Sequence, residues 1–131
     1  MKKIFFTIVM FLCANILNAE VIKMTAYELS YKSYESYGWS DWSSWEDCNI
    51  LVVINVDMER ITIYSKQTQE FDIIAAEDPY VDSDGDDVIK FTCVDADGLK
   101  CGIRFIGRSN GSAQLYCDYN DFMYVYNVRT R

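Results

Sequence analysis

The sequence predicts an all-β protein in which about eight short antiparallel strands form a meander and close into a small barrel. Apolar and polar residues alternate at a period of two through most of the chain after residue 20, as in half-buried strands. Turns rich in Gly, Asn and Asp separate these runs, and no convincing helix lies between them. Closure buries the apolar face of every strand and removes the sheet edges. A two-sheet sandwich is the alternative architecture.

Residues 1–19 are expected to be a secretory signal peptide and not part of the fold. Two lysines after Met1 form a basic start, an apolar run covers Ile4 to Leu12, and Ala19 offers a small residue for cleavage. The apolar run is too short to span a bilayer. We therefore expect an exported protein, periplasmic or secreted, with a single domain over residues 20–131.

The charge balance argues against one class of partner. The chain has 20 acidic residues against 12 lysines and arginines, and loss of Lys2 and Lys3 with the signal peptide would leave a net charge near −10. Phosphate binding needs the opposite sign, so nucleic acid is not expected as a partner. No second apolar segment is long enough to be a transmembrane span.

Strand structure is predicted from Val21 to about Tyr31, where Thr, Tyr and Val favour it. The segment Asn49 to Tyr64 predicts a hairpin, because its alternating apolar residues continue across a four-residue turn at positions 57–60. The pairs expected from this turn are Val56 with Ile61 and Ile54 with Ile63.

Three tryptophans recur every three residues in the segment between these strands, GWSDWSSWEDC from Gly38 to Cys48: Trp39, Trp42 and Trp45. The pattern resembles the start of a thrombospondin type 1 repeat, whose tryptophans stack with arginines on neighbouring strands. The likeness covers about ten residues and is coincidental, because the downstream Cys-, Gly- and Arg-rich pattern of that family is missing here.

The same tryptophans have two interpretations. They cover an open end or the outer face of the sheet, or they form an exposed aromatic platform that binds a glycan or a peptide. A period-two strand would place Trp42 on the face opposite to Trp39 and Trp45. We therefore predict that Trp42 differs from the other two in burial.

After a strand at Phe71 and Ile73, an acidic loop runs from Glu77 to Asp87. Three carboxylates in it are candidate calcium ligands: Asp82, Asp84 and Asp86. The spacing fails as an EF-hand, because the sixth position holds Asp87 instead of glycine and no helix flanks the loop. Two interpretations of the loop remain, a calcium site of another kind and a solvated acidic turn.

The stretch from Val88 to Phe105 predicts a hairpin with one preferred register. A two-residue turn at Asp97-Gly98 would place Phe91 opposite Arg104. A three-residue loop, with Gly98 in the left-handed conformation of a bulge, matches apolar residues with apolar residues. The pairs expected are Asp95 with Leu99, Cys93 with Cys101, Phe91 with Ile103 and Ile89 with Phe105.

The residues that would remain after signal cleavage include four cysteines, and an even count in an exported protein favours disulfides. Opposed strand residues lie within reach of a disulfide, so the hairpin favours a Cys93–Cys101 bond. The pairing of Cys48 and Cys117 stays open. The alternative is that the two hairpin cysteines are small apolar thiols packed in the core.

Two more strands are predicted near the C-terminus, separated by a turn at Asn120-Asp121. Their inward-facing residues are Leu115, Cys117 and Tyr119, then Phe122, Tyr124 and Tyr126. The polar end, Val128 to Arg131, is expected to be frayed.

The chain also resembles small exported all-β proteins of Gram-negative gut bacteria. The likeness is carried by W-S-D-W-S-S-W, by I-T-I-Y-S at Ile61 to Ser65, by a D-x-D-G turn and by Y-x-Y-N-V at Tyr124 to Val128. It covers most of residues 20–131 and implies the all-β fold. No activity is assigned to that group, so it implies no function.

An enzyme is not expected. The chain has no histidine, which removes the commonest general base and zinc ligand. Its cysteines lack the C-x-x-C spacing of metal and redox pairs, and no Gly-rich phosphate loop occurs. No cofactor is expected apart from the calcium alternative.

Two binding functions remain. The first is an exported binding protein that takes a small apolar or sugar ligand at the barrel mouth or at the Trp39–Trp45 stretch. The second is an acidic inhibitor or adhesion module that docks a basic macromolecule. Only in the second case should the binding affinity fall steeply as the salt concentration rises. The expected partner is a protein or a glycan, and the chain is expected to be a monomer.

Overall fold

The computed structural model describes residues 21–131, and these form ten β-strands and no helix. The predicted signal peptide, residues 1–19, lies outside the described residues. The strands are β1 (Val21–Glu35), β2 (Gly38–Trp39), β3 (Glu46–Asn55), β4 (Arg60–Tyr64), β5 (Thr68–Ala76), β6 (Tyr80–Val81), β7 (Asp87–Asp95), β8 (Lys100–Gly107), β9 (Ala113–Asp118) and β10 (Phe122–Thr130).

Eight of these strands form a closed antiparallel barrel. Their order around the ring is β1, β3, β4, β5, β7, β8, β9 and β10, and β10 pairs with β1 to close it. The short strands β2 and β6 lie outside the ring and pair with β1 and β7. The predicted all-β barrel is therefore confirmed, and the sandwich alternative is not formed.

The interior of the barrel is filled by the alternating apolar residues of every ring strand. Eight strands leave an interior that side chains can fill without a channel. Most of these residues are fully removed from solvent, which makes their burial the main stabilising contribution. The largest are Phe71, Phe105, Met24, Ile54, Ile61, Ile63, Ile89, Ile103, Leu115 and Val52.

The closing seam joins the two ends of the described chain. Leu29 pairs with Tyr126, and the pairing continues to the last residues of β10. The predicted frayed C-terminus is therefore wrong: Val128 is buried in the core, and the Arg131 N–H donates to the Lys23 carbonyl at 3.2 Å. Pairing with β1 satisfies backbone groups that a free end would leave to water.

The central hairpin has the predicted register. Cys93 pairs with Cys101, and the Asp95 N–H donates to the Leu99 carbonyl at 2.9 Å. Gly98 has a φ of 83°, the left-handed conformation that the three-residue loop requires. The Phe105–Leu115 and Tyr126–Leu115 pairs confirm the faces predicted for the last strands.

The predicted Cys93–Cys101 disulfide is not present. Both residues, like Cys48 and Cys117, are free thiols. Opposed positions bring two Cα atoms within range, but the bond also needs a specific dihedral angle about the sulfur atoms. Burial raises the pKa of Cys93 to about 12, which disfavours the thiolate that forms disulfides. The alternative, two apolar thiols packed in the core, describes the structure.

The β3–β4 hairpin is present, but its register differs from the prediction. The structure pairs Ile54 with Ile61 and Val52 with Ile63, so the predicted Val56–Ile61 and Ile54–Ile63 pairs are wrong. The two registers differ by an even number of residues. An even slip keeps every side chain on its own face, so alternation alone could not choose between them.

Polar groups of the turn select the register that forms. The Asn55 side-chain oxygen accepts a hydrogen bond from the Met58 N–H at 3.1 Å. Glu59 adopts a left-handed φ of 52°, and its carbonyl accepts from the Ile73 N–H at 2.9 Å. The turn is thereby tied to β5, a contact that lies outside the hairpin.

Candidate functional site

One end of the barrel opens into a cleft of about 560 Å³, which we call the mouth. Clefts of this volume are typical of small-molecule sites. The turns between β4 and β5, β7 and β8, and β9 and β10 surround it, together with the middle of β1. Its walls include Leu29, Tyr31, Gln67, Gln69, Glu70, Phe71, Asp95, Asp97, Leu99, Tyr119, Phe122, Tyr124 and Tyr126.

A β-bulge in β1 turns the side chains of this strand toward the mouth. Before the bulge, Met24 and Ala26 are buried in the interior. The register shifts between Ala26 and Glu28, so the inward positions change from even to odd numbers. Leu29 then packs on the core and Tyr31 borders the mouth. Bulges occur often at barrel rims, where they re-aim side chains.

Three stacked aromatic rings form one wall of the mouth. Tyr119 and Phe122 lie nearly parallel, with ring centroids 4.5 Å apart and planes 14° apart. Phe122 and Tyr124 continue the stack at 6.1 Å and 10°. Phe122 is 40% exposed, so one edge of the stack faces solvent. Alternation along β10 and the tight turn before it bring these rings together.

Hydrogen bonds orient the polar groups beside the stack. The Tyr119 hydroxyl donates to Asp95 Oδ2 at 2.7 Å. The Tyr124 hydroxyl donates to Gln69 Oε1, and Gln69 Nε2 donates to the Tyr126 hydroxyl at 3.3 Å. These contacts join strands that are distant in sequence and give the polar groups defined directions.

The environment holds these groups in defined protonation states. Burial acts to raise the pKa of Asp95, but hydrogen bonds from Tyr119 and from two backbone amides outweigh it, and the pKa is lowered. Burial and the bond to Asp95 raise the pKa of Tyr119. Burial also raises the pKa of Tyr124, and that of Tyr126 to about 12. At neutral pH the mouth therefore holds a carboxylate acceptor among neutral hydroxyls.

The sequence predicts a ligand at the barrel mouth without identifying the residues that line it. The only local signal is the alternation of Phe122, Tyr124 and Tyr126 after an aromatic residue at position 119. Gln69 lies near the start of β5 and Asp95 is the last residue of β7, and nothing in the sequence marks them as neighbours. Closure of the ring brings these strand ends to the same end of the barrel.

The tryptophans lie elsewhere: Trp39 is the last residue of β2, and Trp42 and Trp45 lie on the segment after it, which runs along the edge of β1. We call residues 39–45 the tryptophan ribbon. Residues 40–45 are not a strand. The Ser40 N–H donates to the Ser33 carbonyl and the Ser43 N–H to the Tyr31 carbonyl, each at 2.8 Å. Ser40 and Ser43, three residues apart, face β1 and are half-buried, whereas the three tryptophans are exposed.

The predicted difference in burial among the tryptophans is wrong. Trp39, Trp42 and Trp45 are 37%, 39% and 45% exposed. The prediction assumed a period-two strand, whereas the ribbon repeats every three residues along β1. The three indoles are therefore alike in exposure, and two of them, Trp39 and Trp42, contact the same side chain, Lys32.

Trp42 extends from the ribbon across the outer face of the barrel. Its ring meets the edge of Tyr116, on β9, with centroids 6.0 Å apart. Outward-facing Ser30 and Val125, on the two strands between, are each only 2% exposed. Lys32 Nζ lies 5.5 Å and 4.6 Å from the ring centroids of Trp39 and Trp42. The ribbon thus combines covered and accessible aromatic surface.

The structure brings Asp82, Asp84 and Asp86 together, with one carboxylate oxygen of each within 4.8 Å of the others. Hydrogen bonds within the protein engage two of them. Asp82 Oδ1 accepts from the Asp84 and Asp86 N–H groups at 2.9 and 3.0 Å. Asp86 accepts from the Ser109 N–H at 2.9 Å and lies 3.2 Å from Arg108 Nε. These bonds hold the turn before β7 against the β8–β9 turn, and calcium binding stays a prediction.

Comparison of the chain with protein-family models, with curated proteins and with solved structures gives no match. Within residues 21–131, no helix is long and apolar enough to cross a membrane.

Proposed function

We propose that this protein is an exported binding protein that takes a small carbohydrate at the barrel mouth. The observation that carries the proposal is the aromatic stack of Tyr119, Phe122 and Tyr124 beside the oriented polar groups of Asp95 and Gln69. Export is supported by the basic and apolar order of residues 1–19.

The chemistry of the mouth suits a ring that has an apolar face and a polar rim. A pyranose presents C–H groups on one face, which pack against flat aromatic surface, and hydroxyls around its edge. Asp95 has free acceptor capacity at its carboxylate, and Gln69 and the tyrosine hydroxyls supply further acceptors and donors. A purely apolar ligand would leave the remaining hydrogen-bonding capacity of these groups unsatisfied when it displaced water.

The same groups favour binding over catalysis. A general acid at neutral pH needs a raised pKa, as in the shielded carboxyl group of a glycosidase. The pKa of Asp95 is lowered, so this residue is an acceptor at neutral pH. Because the raised pKa values of Tyr119 and Tyr124 keep both phenols protonated, neither can act as a base.

The test is a titration of the protein with soluble oligosaccharides, using chitotetraose, cellotetraose and maltotetraose as probes. Amide chemical shifts are followed by NMR. At least one probe should shift residues of the mouth, such as Tyr119 and Phe122, while the tryptophan ribbon is unchanged. Phe122→Ala should weaken that probe at least tenfold, which corresponds to ~1.4 kcal/mol.

Tyr64→Ala is the matched control, because Tyr64 is exposed and does not line the mouth. It should bind the probe as the wild type does. The proposal would be contradicted if a probe bound without shifting the amide signals of the mouth. It would also be contradicted if Phe122→Ala and Tyr64→Ala bound the probe with equal affinity.

A further inference from the structure

The tryptophan ribbon already holds a cation. The Lys32 ammonium group lies within 6 Å of the ring centroids of both Trp39 and Trp42, at 5.5 Å and 4.6 Å. At such distances a cation is attracted by the negative face of an indole ring. Two consecutive tryptophans of the ribbon therefore share one ammonium group.

Trp45 continues the repeat without such a partner. It follows Trp42 by the same three-residue step and is 45% exposed. In the part of the chain from residue 21 onward, neither a cation nor a second ring is paired with its indole. The last ring of the ribbon is thus open to a cation from another molecule.

Three carboxylates close to Trp45 in the sequence take part in no ion pair within the described part of the chain. Asp41, Glu46 and Asp47 are exposed and lie within four residues of Trp45. The ion pairs among residues 21–131 are Arg60–Asp72, Arg104–Asp118 and Arg108–Asp86. None of the three carboxylates takes part in them. A cation bound over Trp45 would find uncompensated negative charge beside it.

We propose that the ribbon binds an extended basic segment of another protein, with an arginine side chain stacked on Trp45. Arginine fits better than lysine because its planar guanidinium stacks on an aromatic face while it donates to carboxylates. The net charge of −8 attracts such a segment from a distance. A neutral glycan could stack on the ring and donate hydrogen bonds to the carboxylates, but it carries no positive charge to offset theirs, so the basic peptide is the partner that the charges select.

The test is calorimetry on the protein with an arginine peptide, (Gly-Arg)4, and with a matched peptide in which neutral citrulline replaces arginine. Only the arginine peptide should bind. Its affinity should fall steeply as salt rises from ~0.1 M to ~1 M, because the Debye length shortens from ~10 Å to ~3 Å. Amide shifts should map to the ribbon and leave Tyr119 and Phe122 at the mouth unchanged.

Two variants of the ribbon should lose the interaction. Trp45→Ala should weaken binding at least tenfold, whereas Tyr64→Ala, the control at an exposed ring elsewhere, should not change it. A Glu46→Gln, Asp47→Asn double variant keeps the indole and should also weaken the arginine peptide. This second variant tests the proposal even where removal of the indole disturbs the ribbon.

Lys32→Met gives the opposite expectation. It vacates the place between Trp39 and Trp42, so the arginine peptide should bind more tightly or at a second position. Lys66→Met removes one positive charge from the β4–β5 turn and is the charge-matched control. Equal binding of the citrulline peptide, an unchanged affinity in Trp45→Ala, or no difference between Lys32→Met and Lys66→Met would each overturn the proposal.

Discussion

The Tyr119 hydroxyl donates a hydrogen bond to Asp95 Oδ2 at 2.7 Å and so links the β9–β10 turn to the β7–β8 turn across the mouth. The two residues are 24 positions apart in the sequence. Asp95 also accepts from the backbone N–H groups of Asp97 and Leu99, at 3.0 and 2.9 Å. One carboxylate therefore organises its own turn and holds a neighbouring turn in place.

Tyr119→Phe should raise the pKa of Asp95 toward its usual value of ~3.9. Burial already acts to raise this pKa, and the variant removes the side-chain hydrogen bond that opposes it. The measurement is an NMR titration of the Asp95 carboxyl carbon. Tyr116→Phe is the control, since the Tyr116 hydroxyl bonds to Gln114 instead. An unchanged pKa in Tyr119→Phe would contradict the assignment.

The same shift predicts how stability depends on pH. A carboxyl group with a lowered folded-state pKa stabilises the protein above its unfolded pKa, and this contribution is lost as the pH falls through the folded value. Tyr119→Phe should therefore be less stable than the wild type above pH ~3.9, and the difference should narrow below it. Urea unfolding at several pH values measures this.

Cys48 should react first when the folded protein is treated with a thiol reagent at pH 8. It is half-buried, whereas Cys93, Cys101 and Cys117 are buried. Burial raises the pKa of all four thiols, and raises that of Cys117 well above its usual value. Reaction needs access to the sulfur atom, and the greater exposure of Cys48 therefore places it first. Mass mapping that found Cys101 labelled before Cys48 would be the contrary result.

Met24→Ala should destabilise the protein by ~2 to 5 kcal/mol. Met24 is fully buried and lies between Val52 of β3 and Thr130 of β10, next to the closing seam. Met58→Ala makes the same chemical change at a residue that is 59% exposed and should cost ~0.5 kcal/mol or less. Chemical denaturation of both variants measures their free energies of unfolding. Equal losses of stability in the two variants would argue against a buried seam at Met24.

Gly98→Val and Gly111→Val should each destabilise the protein by ~1 to 3 kcal/mol. Both glycines have a positive φ, 83° and 90°, and an added Cβ would meet no atom within 4 Å. The cost is therefore one of backbone conformation. Gly102→Ala is the control, because the nearest atom to its added Cβ would be 3.7 Å away, an ordinary contact. Thermal melts should leave Gly102→Ala close to the wild type.

The central hairpin could be predicted because its information is local. Apolar alternation on both sides of Gly98 leaves one register in which like residues face each other, and that register forms. In the β3–β4 hairpin, each side chain would lie on the same face of the sheet in either of two registers. There the choice depends on Glu59, whose carbonyl accepts a hydrogen bond from Ile73 on β5. Alternation cannot report a contact of that kind.

The sequence by itself determined the all-β class, most of the strands of the ring, the inward face where alternation is unbroken and the central turn, because alternation and turn residues act over short distances along the chain. Only the tertiary structure decided the β1–β10 seam, the residues of the mouth and the similar exposure of the three tryptophans. The mouth combines Tyr31, Gln69, Asp95 and Tyr119 from four separate parts of the chain. They become neighbours because closure of the ring brings the ends of distant strands to one rim, which no local pattern specifies.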